Sequence, residues 1–253
     1  MRDVIESFHK YFCIMLADTP ALMEQVHRIR YEVFCQEFHF EREEDCPGGM
    51  EKDEYDAQSI HCLIIHRASQ IPAGCVRLVK TLKDNPQAPL PIEKYCGASL
   101  YPSGLHPSRL PRESLFEISR LAVSGHFRRR QGESQSPLGN VEGFRFGTEE
   151  YRLFPLISFA LFIAIASIGM LTGGHDGFAM MEPWLAEHLG LVGFAFKQIG
   201  EPIDYHGKRV AFHHTVEQAF KLRHEVPLLG DVFDVIHPLM EAEATRVNLN
   251  LTT

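Results

Sequence analysis

Hydrophobic and polar positions change period several times along the 253 residues, and each change marks an element. Residues 11–17 (Tyr-Phe-Cys-Ile-Met-Leu-Ala) are an apolar run too short for a helix and read as a buried strand. Asp18 and Thr19 are capping residue types and Pro20 suits a first helical position, so a helix is predicted from there. Leu22, Val26, Ile29 and Val33 recur at helical spacing and carry it to about Phe34, with Arg30 at the margin of the apolar face. The acid-rich stretch 41–58, with Pro47-Gly48-Gly49, breaks the pattern and reads as an irregular loop. Strands follow at 60–66 and 74–82, joined by a turn at 69–73, and again at 115–123 after a long Pro- and Gly-bearing connection over 84–112.

Residues 124–147 are polar and loop-like. The segment 153–174 has no charged residue and is long enough to cross a bilayer. Pro155, serines, alanines and glycines dilute it, and it reads instead as a helix buried against a sheet. A strand is predicted at 177–181, a short helix from Pro183 to Gly190, and paired strands at 194–199 and 209–216 around Tyr205-His206-Gly207. Beyond 216 the pattern is helical, with Val232, Val235, Ile236, Leu239 and Met240 as a packing stripe. This order implies an α/β fold: a mixed, mostly antiparallel sheet with one parallel crossover, flanked by helices. The expected organisation is a domain over 1–215 with a C-terminal helical extension, 216–253, packed on it.

A formal charge of −8 argues against bulk attraction to nucleic acid or an anionic membrane, leaving Arg128-Arg129-Arg130 as a local basic run. The six cysteines are scattered without a CxxC pair, which suggests neither a zinc site nor a disulfide framework and fits a reducing compartment. Asp3 and Glu6 interrupt the N-terminus, so no signal peptide is expected and the location is read as cytoplasmic. His213-His214 lacks a third ligand at convincing spacing, so no metal is expected. His175-Asp176 reads as a turn or cap, and Trp184 as core.

Four segments put ionisable groups beside apolar positions: Arg30; Asp53 with Asp56; Arg77; and Glu117 with Arg120. Such charges are seldom buried unless paired, and each taken singly reads as a strand-edge ion pair. Together they suggest a polar cleft: arginine forks bind a carboxylate, and acids bind or deprotonate an amine. Glu117 and Arg120, three apart, point to opposite faces of a regular strand. Either they do different jobs, or a β-bulge near Ile118-Ser119 brings them together.

Four ordered blocks resemble the acyl-homoserine-lactone synthases, bacterial autoinducer synthases on the GNAT acyltransferase fold. They are Arg30-Tyr-Glu-Val-Phe34 with Phe40 beyond; Met50-Glu51-Lys-Asp53-Glu-Tyr55-Asp56-Ala57; Gly74-Cys-Val-Arg77-Leu78; and Glu117-Ile-Ser119-Arg120-Leu-Ala122. The resemblance covers roughly residues 11–215. Phe40 replaces a tryptophan usual in the lactone synthases and Leu121 a phenylalanine, and the loops at 84–112 and 124–147 are longer. These departures look more like the N-acyl amino acid synthases and the acyltransferases associated with PEP-CTERM/exosortase systems.

The resemblance implies an N-acyltransferase moving a long-chain acyl group from a phosphopantetheine thioester to an amino acid or related amine. It assigns proton acceptance to Glu117 with Arg120 beside it. Arg30, Arg77, Asp53 and Asp56 would bind the acceptor or organise the acidic loop, and Phe34 and Phe40 would wall the thioester. No permanent cofactor is implied. The glycine pattern that cradles the CoA pyrophosphate in many GNAT enzymes is absent at 128–133, which favours acyl carrier protein over CoA as donor. Arg128, Arg129 and Arg130 could then dock that carrier. The helix at 153–171 would border the acyl chain, without a membrane span but with room for peripheral membrane contact. A lactone-forming enzyme using S-adenosylmethionine and a non-catalytic carrier- or lipid-binding module are the alternatives.

Overall fold

A computed structural model of the chain describes residues 2–128, 153–191 and 193–251. Helix α1 (Arg2–Tyr11) leads into strand β1 (Phe12–Leu16), then α2 (Pro20–Arg30). The Thr19 side chain accepts the Leu22 N–H at 3.3 Å and Pro20 takes the first turn, so α2 starts where its capping residues place it. Beyond Arg30 the helix widens into a seven-residue π-helical segment, Tyr31–Glu37. Strands β2 (Ser59–His66), β3 (Pro72–Lys80) and β4 (Leu115–Val123) follow, with a short helix α3 (Pro91–Cys96) inside the long connection. After α4 (Gly125–Arg128) come α5 (Phe154–Leu171), β5 (Asp176–Met181) and α6 (Pro183–Leu191). The chain then forms β6 (Lys197–Gln198), β7 (Ile203–Asp204), β8 (Lys208–Thr215), α7 (Val216–Glu225) and α8 (Pro227–Arg246).

The strands form one sheet in the order β1-β2-β3-β4-β5-β8-β6, with β7 on β8. The β4–β5 pair is parallel and the other described pairs are antiparallel. Both faces of β2 and β3 are covered, which explains why they read as continuous apolar runs. Cys62, Ile64, Val76 and Leu78 face α5 and α8, while Leu63, Ile65 and Cys75 face α2. Most of α5 is buried, enclosed between the sheet and the C-terminal helices. Among the described residues no helix is long and apolar enough to cross a membrane. Helix α7 starts behind Thr215, which closes a capping box with Gln218, and Leu229, Phe233 and Met240 of α8 share the core of α5.

Besides the one-turn helix α4 inside the stretch read as loop, three local features depart from the sequence reading. Helix α3 was expected to be loop; Pro91 and the Glu93 carboxylate, which accepts the Leu90 N–H at 2.9 Å, start it. The strand expected over 194–199 shrinks to Lys197–Gln198, because the Phe194 N–H bonds to Leu189 O and closes α6 instead. The third departure, the π-helical segment, has no periodic signal of its own in a stretch that reads as continuous helix.

The turn from α5 into β5 is packed tightly around Phe116. A Cβ on Gly174 would lie 2.7 Å from the Phe116 ring and 2.8 Å from the Gly169 carbonyl oxygen. Gly174→Ala is therefore expected to destabilise the protein by about 1–3 kcal/mol, read as a lower urea midpoint at unchanged m-value.

Candidate active site: a closed ring of charge beside an open sheet

Pairing between β4 and β5 runs from Leu115↔Asp176 to Ile118↔Ala179 and stops there. Both strands continue, β4 to Val123 and β5 to Met181, so the sheet opens between them. A cleft of about 450 Å³ occupies the opening, lined by Ile118–Leu121 on one side and Ala179–Glu182 on the other. Phe34, Phe40, Tyr95, Tyr205 and Phe162 supply apolar wall, and Glu51, Asp53, Arg77, Glu117 and Arg120 supply charge. A small apolar pocket of about 30 Å³ adjoins it, sharing Ile118 and Phe162 and lined also by Phe116, Phe178 and Phe196.

The bulge that would unite Glu117 and Arg120 is present, one or two residues beyond its expected place. Cys75 faces Ala122 and Arg77 faces Ser119, so Arg120 and Leu121 together oppose Val76. Arg120 has φ +53°, a left-handed conformation that an arginine adopts at a penalty. The extra residue reverses the alternation of β4: Phe116 packs in the α5 core before it, and Ala122 packs in the α2 core after it. It also turns Arg120 onto the face of Glu117 and Ser119.

The arginines and acids form a closed ring. Arg30 pairs with Glu51, and Glu51 pairs with Arg120 at 3.1 Å. Arg120 reaches Asp53 at 3.1 Å, and Asp53 reaches Arg77 at 2.5 Å. Arg77 contacts Asp56 at 2.8 Å, and Asp56 returns to Arg30 at 2.7 Å. All three acids come from the loop at 41–58, and the three arginines come from α2, β3 and β4. Asp56 also accepts the Asp53 N–H, and Asp53 the Tyr55 N–H, both at 2.9 Å, so the carboxylates shape their own loop.

Arg30 is 0% exposed and Arg77 1% exposed. Their guanidiniums are held by protein carboxylates, and Arg77 donates as well to Ser119 Oγ at 3.0 Å. These contacts tie the acidic loop to α2 and β3. Arg77 and Arg120 both line the cleft, and Arg120, with its side chain 19% exposed, is the more accessible of the two.

Burial pushes the Glu51 carboxyl up, but Arg120 and Arg30 outweigh it and hold it at about 2. Burial likewise opposes Asp56, and the His27 ring 3.5 Å away together with Arg30 holds it well below the carboxylate range. Glu117 goes the other way. It is 3% exposed, and burial lifts it to about 8 against the pull of the Ile92 N–H, Arg77 and Arg120. The Ile92 N–H donates to its Oε2 at 2.7 Å.

Phe34 and Phe40 stack with centroids 6.5 Å apart, and the Arg209 guanidinium lies over Phe40 at 5.1 Å. Arg128 is buried, paired with Glu37, donating to Val123 O and lying over Phe38, so its guanidinium is committed inside the fold and not displayed for docking. Arg129 and Arg130 lie outside the described residues. Glu51, which closes the ring, was not among the sequence candidates. It lies 21 residues from Arg30 and 69 from Arg120, so no periodicity links them, and its one sequence signal is its place within the Met50–Ala57 block. Tyr205, His206 and Arg209 also reach the cleft from the β7–β8 hairpin without a sequence signal.

Residues 29–136 match the family model described as an acetyltransferase (GNAT) domain. No curated protein matches the chain. Among solved structures, the AHL synthase LasI is similar with a TM-score of 0.56 at 17% identity, over 81% of this chain and 89% of that one. FeeM, an N-acyl amino acid synthase from uncultured soil microbes, gives 0.53 at 13% identity over 87% and 97%. BjaI, a CoA-dependent acyl-homoserine lactone synthase with SAM and isopentyl-CoA, gives 0.53 at 19% over 94% and 99%. At these identities the likeness is one of fold, and the fold is GNAT-like.

Glu51→Gln breaks the ring and leaves the buried Arg30 half-neutralised. It is expected to cost about 3–5 kcal/mol at neutral pH, the range for removing one partner of a buried pair. Because the folded-state value of about 2 lies below the ordinary glutamate value of 4.5, this contribution is complete above 4.5 and fades as pH falls towards 2. Urea titrations at neutral pH and at pH of about 3 check it: the gap between mutant and wild type narrows at the lower pH.

Proposed function

We propose that this protein is an N-acyltransferase that moves a long-chain fatty acyl group from an acyl-carrier-protein thioester to the amine of an amino acid or related acceptor. The observation that supports it most is a Glu117 buried beside the place where β4 and β5 separate in a GNAT-like sheet, its carboxyl pushed up by that burial to about 8.

The thioester carbonyl would lie against the open edge of β4, near the bulge, where backbone N–H groups can stabilise the oxyanion. The acceptor amine would enter from the side of Arg120 and lose its proton to the Glu117 carboxylate. Its nitrogen lone pair forms the C–N bond, the tetrahedral intermediate collapses, the C–S bond breaks, and the phosphopantetheine leaves as a thiol after taking up a proton. An acceptor carboxylate would rest on Arg120, the most exposed arginine of the ring. The acyl chain would follow the apolar wall past Ile118 and Phe162 towards the inner pocket.

A lactone-forming reading, with S-adenosylmethionine as acceptor, draws on one feature of the cleft. Glu41, Asp45 and Glu182 add to the acids lining it, a lining suited to a cationic acceptor. Mass spectrometry of products, with acyl carrier protein and CoA thioesters offered in parallel, separates the readings: amide of an amino acid in one case, lactone dependent on S-adenosylmethionine in the other. Absence of thiol release with every amine would sink both.

Glu117→Gln is expected to lower kcat by about 10²–10⁴-fold. The wild-type rate should rise with pH and level off above about 8, as the carboxyl releases its proton, and the variant should lose that inflection. Phe162→Ala, which joins the inner pocket to the cleft, should shift preference towards longer acyl chains in competition assays with mixed thioesters.

A further inference from the structure

We propose that Arg112 and Glu93 are positioning residues for Glu117: their ion pair fixes the turn at 86–93 so that the Ile92 N–H stays on the Glu117 carboxylate. The inference rests on the reading of Glu117 as proton acceptor.

The connection between β3 and β4 is long, and a segment of that length without internal structure would not hold a backbone N–H in one place. Arg112 supplies the missing order. Its Nη1 reaches both Glu93 carboxylate oxygens at 2.8 Å, its Nε donates to Pro86 O at 2.9 Å, and its Nη2 donates to Ala88 O at 2.8 Å. One guanidinium thus gathers three points of the same turn in the fixed fork that lysine lacks. Glu93 uses Oε2 also to accept the Leu90 N–H at 2.9 Å, which starts α3. Tyr55 OH, from the acidic loop, donates to Pro89 O at 3.2 Å. Leu90 and Ile92 are fully buried beneath these contacts.

The product of this arrangement is a buried N–H at 2.7 Å from Glu117 Oε2. The charged groups facing Glu117 are Arg77 from β3, Arg120 from β4 and Glu93 from α3, with Cys96 and Tyr55 as neutral neighbours. Its partner on β5 is the apolar Phe178. The Ile92 N–H is therefore the neutral donor that favours the charged carboxylate and fixes which oxygen faces the cleft. Arg112 and Glu93 do not line the cleft, so they act on the chemistry through Glu117: by the Ile92 bond and by the Glu93 charge, which Arg112 and its replacement lysine both meet.

The test is a carbon-13 titration of the Glu117 carboxyl together with the Ile92 amide signal, in wild type and Arg112→Lys. In wild type the Ile92 amide should shift with the same midpoint as Glu117. An Ile92 amide indifferent to that titration overturns the proposal without any variant. Arg112→Lys keeps the charge and loses the fork; the Glu117 midpoint should rise by about half a unit or more as the donor is released. In the same variant kcat should fall about tenfold with KM for the thioester unchanged. A midpoint that stays or falls overturns the proposal, whatever happens to turnover. If instead Glu117→Gln retains wild-type turnover, the proton-acceptor reading fails while the titrations still decide whether Arg112 positions the bond.

Discussion

Six side chains closed into a ring of alternating charge organise the centre of this molecule. Arg30 sits at the end of α2 with no exposure, a place where a guanidinium is tolerated only when its charge is matched. Glu51 and Asp56 match it, and each also serves a second arginine, on β4 and β3 respectively. Asp53 completes the circuit between those strands. The ring therefore ties α2, β3, β4 and the acidic loop together with no net charge among its members. Since every acid comes from one loop, the loop gains its shape only when the sheet and helix are in place. Folding of the scaffold and assembly of the cleft wall are coupled through these contacts.

The ring requires Arg120 to leave the α5 face of β4, and a regular strand would not allow this. Its left-handed backbone and the two-against-one pairing around Val76 turn the side chain over. The same distortion coincides with the end of β4–β5 pairing, just after Ile118. One local irregularity thus aims an arginine, reverses the alternation of the strand and marks the mouth of the cleft. The penalty for a non-glycine residue there is modest, and the ion pairs of Arg120 oppose it.

Much of this was legible in the amino-acid order. Strand β4 occupies the predicted 115–123, and β2, β3, β5 and α5 fall within a residue or two of their predicted starts, because both-face burial leaves apolar runs bounded by turn residues. The three-residue spacing of Glu117 and Arg120 left two readings, different jobs or a bulge, and the strand carries the bulge. Helix α3 was not legible, since six residues carry no helical period and its start depends on Arg112, well beyond it in sequence. The same holds for Glu51, whose partners are joined to it only by the fold. Arg128 misled in the opposite direction: it reads as part of an exposed basic run, yet Glu37 at the end of the π-helical segment and Phe38 just beyond it enclose it.

Two kinds of carboxyl share the cleft, and the neutrality of the ring explains why they differ. Glu51 and Asp56 have arginines in direct contact, so attraction overcomes burial and both stay charged. Glu117 sees Arg77 and Arg120 only after their charge has been met by the ring, and burial is then the larger effect. Were the ring open at Glu51 or Asp53, the freed guanidiniums would draw Glu117 down towards an ordinary carboxylate and weaken it in its proposed role as proton acceptor. The ring thus has a chemical consequence beyond holding the elements together: it keeps two arginines near a carboxyl without letting them fix its charge. The neutral donor from Ile92 remains to orient that carboxyl, which under the proposed function takes up a proton and releases it.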